Sequence, residues 1–234
     1  MNQFDPTLIQ KPANSVHMFR AMVGVGLLCA LLIVSTYEYT LPVIKHNKSV
    51  ALEKAVFNVL PGAVKRVTFK LNSDDTFETM TAEPDKEQVI YAGYSADNKL
   101  VGVAIEASGQ GFQDVLKLLY GYSLQTQTII GFYVLESKET PGLGDKIDKD
   151  SGFLANFNGL DVSLTGDGKA LKNAVKSVKH GTKENPWEID SITGATISSK
   201  AVGNIINDSI QFWAPIIYKN RDTFAGSSLS AAVK

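Results

Sequence analysis

Residues 21–37 (AMVGVGLLCALLIVSTY) carry no charge, and the apolar character continues through Thr40, Leu41, Val43 and Ile44, interrupted by Glu38 and Pro42. A helix needs ~20 mainly apolar residues to cross the hydrocarbon core of a bilayer. The run is longer than the core of a secretory signal, and no A-x-A pattern of small residues follows it, so it is expected to persist as an anchor. Tyr37 and Tyr39 fall where such a span meets water, a position that amphipathic rings favour. Lys11 and Arg20 precede the run while Lys45 and Lys48 follow it, so counting cations leaves the orientation open.

In a chain of 234 residues, the part beyond the anchor is long enough to bury a core of its own. The formal net charge of -1 gives no electrostatic case for nucleic acid, and none is expected as a partner. Cys29 is the single cysteine, which excludes disulfides within the chain, iron–sulfur ligation, haem attachment and cysteine-based zinc sites. Leu27 and Leu28 stand where a lipoprotein signal needs small residues, so Cys29 reads as a small membrane-embedded side chain. His17, His46 and His180 are scattered, and no metal is expected. Any redox role must come from an organic cofactor.

Past the anchor, residues 49–60 put Val50, Leu52, Ala55, Val56, Val59 and Leu60 on one helical stripe, ended by Pro61 and Gly62. Short alternating or β-branched runs come next near 64–71, 89–94, 100–107, 115–122 and 129–135, separated by turn-rich pieces such as LNSDD and SADNK. These predict a largely antiparallel sheet. The run at 115–122 fits a helix equally well, because Val115, Leu116, Leu118 and Leu119 satisfy both periods. Residues 161–179 read as a strand followed by a second strand or a helix. The last long element is a helix from 197 to about 218, with Ala201, Val202, Ile205, Ile206, Ser209, Ile210, Trp213, Ile216 and Ile217 on one side. The fold class is therefore α+β: a single N-terminal transmembrane helix, then a mainly antiparallel-sheet domain with a long C-terminal helix. The expected boundaries are an N-terminal tail at 1–20, the anchor at 21–44, the domain at 45–218 and a tail at 219–234, whose Ser- and Ala-rich composition suggests a peripheral segment.

The string DSITGAT at 190–196 joins a short expected strand at Trp187, Glu188 and Ile189 to the start of this last helix. Asp190, Thr193 and Thr196 are able to accept bonds from exposed backbone donors, and Gly194 and Ala195 keep side chains out of the way. The unpaired amides of Ile197, Ser198 and Ser199 favour an anion, and Lys200 adds a positive charge in the first turn. Such a turn suits phosphate. The same pattern also describes an ordinary cap, with Thr196 as N-cap, worth typically ~1 kcal/mol. A Walker-type loop is excluded: TGATISSK lacks the glycine before its lysine, and GDGKA at 166–170 lacks the following Ser or Thr. The lysines Lys169, Lys172, Lys176 and Lys179 read as a solvated face, and DKIDKDSG at 145–152 as a solvated turn, because Phe153 stands where a calcium loop needs glycine.

DSITGAT resembles the flavinylation motif of the FMN-binding domain family, and ESKETPGLGDKI at 136–147 resembles that family's second signature. A third match is GQGF at 109–112, upstream of IIGFYVLES. The resemblance covers roughly 49–218; together with the single anchor, and with the wording KETPGLGDKI, it is similar to the Rnf-type branch of the family, whose near relative is the sodium-translocating NADH:quinone oxidoreductase branch. The resemblance implies that Thr196 carries FMN, one per chain, through a phosphoester bond, and that Asp190, Thr193, Gly194 and Ala195 complete the string read by a separate flavin transferase. It implies an electron-relay role, without catalysis of its own, within a membrane-bound, ion-translocating ferredoxin:NAD oxidoreductase complex. The partners would then be other membrane and redox subunits and membrane lipid. The implied location is a bacterial inner membrane, crossed once, with the N-terminus in the cytoplasm and the bulk on the periplasmic side. Ile197 and Ser198, in the first turn, are expected near the phosphate. Thr140, Gly142, Leu143 and Gly144 are expected at the isoalloxazine or its ribityl chain, since a glycine loop lets backbone amides approach a planar ring while Leu143 lies on its face. The competing expectations are a quinone-linked C subunit and a tethered assembly module that binds no flavin.

Overall fold

A computed structural model describes residues 15–80 and 88–225. Lys11 and the rest of 1–14, like residues 226–234 of the expected C-terminal tail, lie outside the described residues. The chain divides into two compact units between Ala51 and Leu52.

The described part of the first unit is helical. Helix α1, Ser15–Val59, is long and apolar enough to cross a membrane, and none of its apolar window is buried within the protein. An apolar cylinder of this kind is stable where lipid takes the place of water, and the protein is membrane-anchored. Pro42 lies inside α1 and removes one helical N–H, yet the helix continues through it and through residue 44. Upstream, Thr36 and Thr40 donate their hydroxyls to the carbonyls of Leu32 and Thr36, at 2.7 and 2.9 Å.

The second unit is built on a seven-stranded, wholly antiparallel sheet in the order β2-β1-β3-β4-β5-β6-β7. Its strands are β1 (Lys65–Leu71), β2 (Phe77–Met80), β3 (Val89–Tyr94), β4 (Leu100–Gln110), β5 (Val115–Ser123), β6 (Thr128–Glu136) and β7 (Leu160–Asp161). The ambiguous run at 115–122 is a strand. It lies between β4 and β6 with both faces covered, which is why it reads as nearly continuous apolar sequence. On one face Val103, Ile105, Leu116, Leu118 and Tyr120 join the cluster of Val202, Ile205, Ile206, Ile210 and Trp213 from helix α3, Thr196–Lys219. On the other, Ala104 and Leu119 pack with Ala55, Val56, Val59 and Leu60. That second contact is close: a Cβ at Gly121 or Gly131 would lie 2.0 or 2.4 Å from the Val59 carbonyl oxygen.

Residues 161–179 contain no helix. After β7 comes a single antiparallel bridge, Leu164 to Leu171, and then β8, Lys176–Val178, which pairs in parallel with β9, Glu188–Asp190. Between β6 and β7 lie a 3₁₀ helix at Gly144–Asp148 and a short helix α2, Ser151–Ala155. For the described residues 219–225, the expectation of a peripheral tail does not hold. Helix α4, Arg221–Phe224, folds back so that Phe224 is fully buried, with its ring centroid 5.1 Å from those of both Phe69 and Phe77. The Tyr94 hydroxyl donates to its carbonyl at 3.1 Å. A large aromatic placed just after the long helix outweighs the polar composition around it.

Candidate functional site

Thr196 is the first residue of α3 and is exposed, and among the described residues no hydrogen bond engages its hydroxyl. It is not the N-cap: that position belongs to Ala195 (φ -126, ψ 31), which offers no side-chain oxygen. The first amides of a helix have no intrahelical acceptor, and among the described residues no side chain supplies one. An exposed hydroxyl thus stands beside uncapped N–H groups that carry partial positive charge, with the exposed Lys200 one turn further on.

The turn before it is held from behind. Gly194 has φ +85, a backbone conformation that favours glycine, and the Ala195 amide donates to the Ile192 carbonyl at 3.1 Å. Ser199, fully buried, accepts from the Ile192 amide at 3.1 Å and donates to the Ala195 carbonyl at 2.9 Å. Thr193 is exposed at the crest of the turn. Asp190 does not serve the helix amides. Its Oδ1 accepts from the Gly181 amide at 2.7 Å, while Oδ2 lies 3.4 Å from His180 Nδ1. Both backbone groups of Asp190 are held by buried Asn156: Oδ1 accepts its N–H at 3.0 Å, and Nδ2 donates to its C=O at 3.2 Å. Lys183 Nζ completes the cluster, donating to Asn156 Oδ1 at 3.0 Å.

The second loop is a turn from Thr140 to Leu143, closed by the Leu143 amide on the Thr140 carbonyl at 3.1 Å. Pro141 and Gly142 occupy its centre, and the φ of +78 at Gly142 is what a turn of this kind asks of its third residue. Leu143 is 52% exposed. Gly144 follows directly. It is buried, and a Cβ there would come within 2.4 Å of Glu139 Oε2 and 2.9 Å of Ser198 Oγ, so its smallness serves an internal junction. Lys149 and, less strongly, the Gly142 amide hold the Asp145 carboxyl below the ordinary carboxylate range.

Glu139 is the centre of that junction, and the sequence reading missed it as a site residue. Although only 6% exposed, it accepts from the amides of Phe112 and Gln113 on Oε1 at 2.8 and 3.1 Å and from the Ser198 hydroxyl on Oε2 at 2.6 Å. One side chain therefore joins the GQGF turn, the ETPGLG loop and the first turn of α3. Gln113 adds a parallel link, donating Nε2 to Thr140 Oγ1 at 3.1 Å. Of the expected residues, Ser198, Thr140 and Gly144 meet at this junction, Leu143 adjoins Gly144 in the chain, and Thr196 and Ile197 precede Ser198 in the same helical turn. Asp190, Thr193 and Gly194 lie on the approach to it. Phe112, Leu143 and Ile197 are all more than half exposed. The fit to a flavin mononucleotide is direct: uncapped amides and a cation for phosphate, and apolar side chains for a ring system. The lysines Lys169, Lys172, Lys176 and Lys179 lie along the surface, as expected of a solvated face.

Residues 111–211, from the turn before β5 to the middle of α3, match the model of the FMN-binding domain family. Among its relatives, the chain is 29% identical over 196 residues to the G subunit of the ion-translocating oxidoreductase complex of Methanosarcina acetivorans, an alignment covering 82% of this chain and 90% of that one. It is 35% identical over 132 residues, 56% of this chain and 58% of the relative, to the G subunit of the Na(+)-translocating ferredoxin:NAD(+) oxidoreductase complex of Acetobacterium woodii. Among solved structures, NqrC of Shewanella oneidensis has the same fold, with a TM-score of 0.56 at 19% identity, covering 76% of this chain and 96% of that one.

Proposed function

We propose that the chain is an electron-relay subunit of a membrane-bound, ion-translocating ferredoxin:NAD oxidoreductase complex, carrying one FMN on Thr196. The observation that carries this reading is the exposed, unengaged Thr196 hydroxyl at the uncapped start of α3, in the same junction as Leu143 and Phe112. The likeness to the G subunits of such complexes supports the choice of complex.

Attachment is the work of a separate flavin transferase. Thr196 would supply the oxygen that takes the flavin-side phosphate of FAD, with AMP as the leaving group and the hydroxyl proton taken up by a base of the transferase. This chain supplies geometry. Ser199 and Asn156 fix the crest on which Thr193, Gly194 and Thr196 are presented, and no general base adjoins Thr196 among the described residues. When bound, FMN supplies reversible one- and two-electron transfer. The protein's part is to hold the phosphate at the helix amides, to shield the ring with Leu143 and Phe112, and to keep the group from diffusing away. The bulk of the chain lies on the outer side of the inner membrane, with lipid around α1 and the other subunits of the complex as redox partners.

Mass spectrometry of the full chain co-produced with a flavin transferase tests this reading. An FMN-sized addition on the peptide containing Thr196, absent in Thr196→Ala, is the expected result. A colourless, unmodified chain from the same cells would leave the tethered assembly module as the better account.

A further inference from the structure

We infer that Glu139 is a positioning residue of the flavin site: its buried carboxylate fixes the mutual arrangement of the Phe112 turn, the Leu143 loop and the helical turn that bears Thr196. This deepens the proposed function and rests on it. A carboxylate in the interior is stable only with its oxygens occupied by donors, and Glu139 has three, from two segments remote in sequence. Two glycines are required for its placement. A Cβ at Gly111 would lie 2.5 Å from Oε1, and a Cβ at Gly144 would lie 2.4 Å from Oε2. The glycines of the two loops are therefore shaped around this carboxylate on both sides, which a merely incidental contact does not require.

The chemical consequence is twofold. Segments tied to one point cannot drift independently, so the apolar residues that flank the ring keep one spacing. A negative charge also sits against the turn that carries the attachment point, through Ser198, where it disfavours the arrival of an electron and lowers the potential of a flavin there. A glutamine at 139 keeps the shape and most acceptor capacity but removes the charge, whereas alanine removes both.

The test uses the full chain, co-produced with a flavin transferase, as wild type, Glu139→Gln, Glu139→Ala and Ser198→Ala. The readouts are the mass of the adduct, the steady-state anisotropy of the flavin fluorescence and the midpoint potential. Every variant is expected to keep the adduct, since DSITGAT is untouched. Glu139→Ala should lower the anisotropy toward that of a freely rotating flavin and shift the potential, and Ser198→Ala should do the same to a smaller extent. Glu139→Gln should retain near wild-type anisotropy while raising the potential. Wild-type anisotropy and potential in adduct-bearing Glu139→Gln and Ser198→Ala would overturn the role of Glu139 alone, whether or not Glu139→Ala folds. A wild type without adduct would overturn the flavin reading, and this inference with it.

Discussion

Around Thr196, small polar side chains set the backbone and leave one hydroxyl unengaged. Asn156 is the least conspicuous of them in sequence, yet it takes both backbone groups of Asp190. Asn156→Ala strands a half-buried N–H and C=O, and a loss of about 1–3 kcal/mol in stability is expected, read as a lower urea midpoint at unchanged slope. Because the string that resembles a flavinylation motif begins at Asp190, the proposed function implies that the same variant acquires FMN more slowly, which a time course of adduct formation would reveal. The turn at Gly194 and the helix start at Thr196 were legible in sequence because their signals are local: a glycine and a hydroxyl just ahead of an apolar stripe. Glu139, Asn156 and Ser199 were not, because what gives them their role is burial against segments far along the chain. An acidic residue beside a lysine, as Glu139 is beside Lys138, reads as surface until the fold encloses it.

Elements were legible in proportion to how strongly their periodicity departs from the alternatives. Helix α3, with its apolar stripe, is found within a residue of its expected ends, at 196 and 219. The strand β5 was ambiguous for a physical reason: a strand buried on both faces loses the alternation that identifies it. β2 escaped notice, being four residues long with Phe77 alone buried, and α4 was hidden in a polar stretch. Phe224 makes that last element testable. Phe224→Ala is expected to destabilise the domain by about 3–5 kcal/mol, measured by denaturant unfolding, whereas a peripheral tail would give no change. Gly131→Ala probes the opposite face, where the new Cβ meets the Val59 carbonyl. An overpacking loss of about 1–3 kcal/mol is expected there, and an unaltered melting temperature would count against so close a contact.

For the molecule as a whole, the anchor and the α+β class come from composition and pattern, since an uncharged run of this length has few other destinies. The sheet order does not, because pairing partners are chosen by packing between distant segments. The buried tyrosines give the folded state a pH signature. Burial, with a contribution from Tyr218, pushes the Tyr122 hydroxyl up to about 12, and burial also raises that of Tyr120. With the folded value above the unfolded one, the stabilisation is complete below pH ~10 and is lost as pH rises toward the folded value. Unfolding midpoints should therefore hold steady from pH 7 to about 9 and fall in more alkaline buffer. Tyr122→Phe should blunt that fall.

The bare start of α3 has one more consequence. A phosphoester on Thr196 would bring a negative group to amides that no side chain among the described residues satisfies, a contribution of roughly 0.3–1 kcal/mol at an exposed helix end. Maturation would then complete the secondary structure as well as install a pigment, and chains still awaiting their prosthetic group would melt slightly earlier than finished ones. That difference gives the cell's proteases a physical handle for discarding chains that never received it.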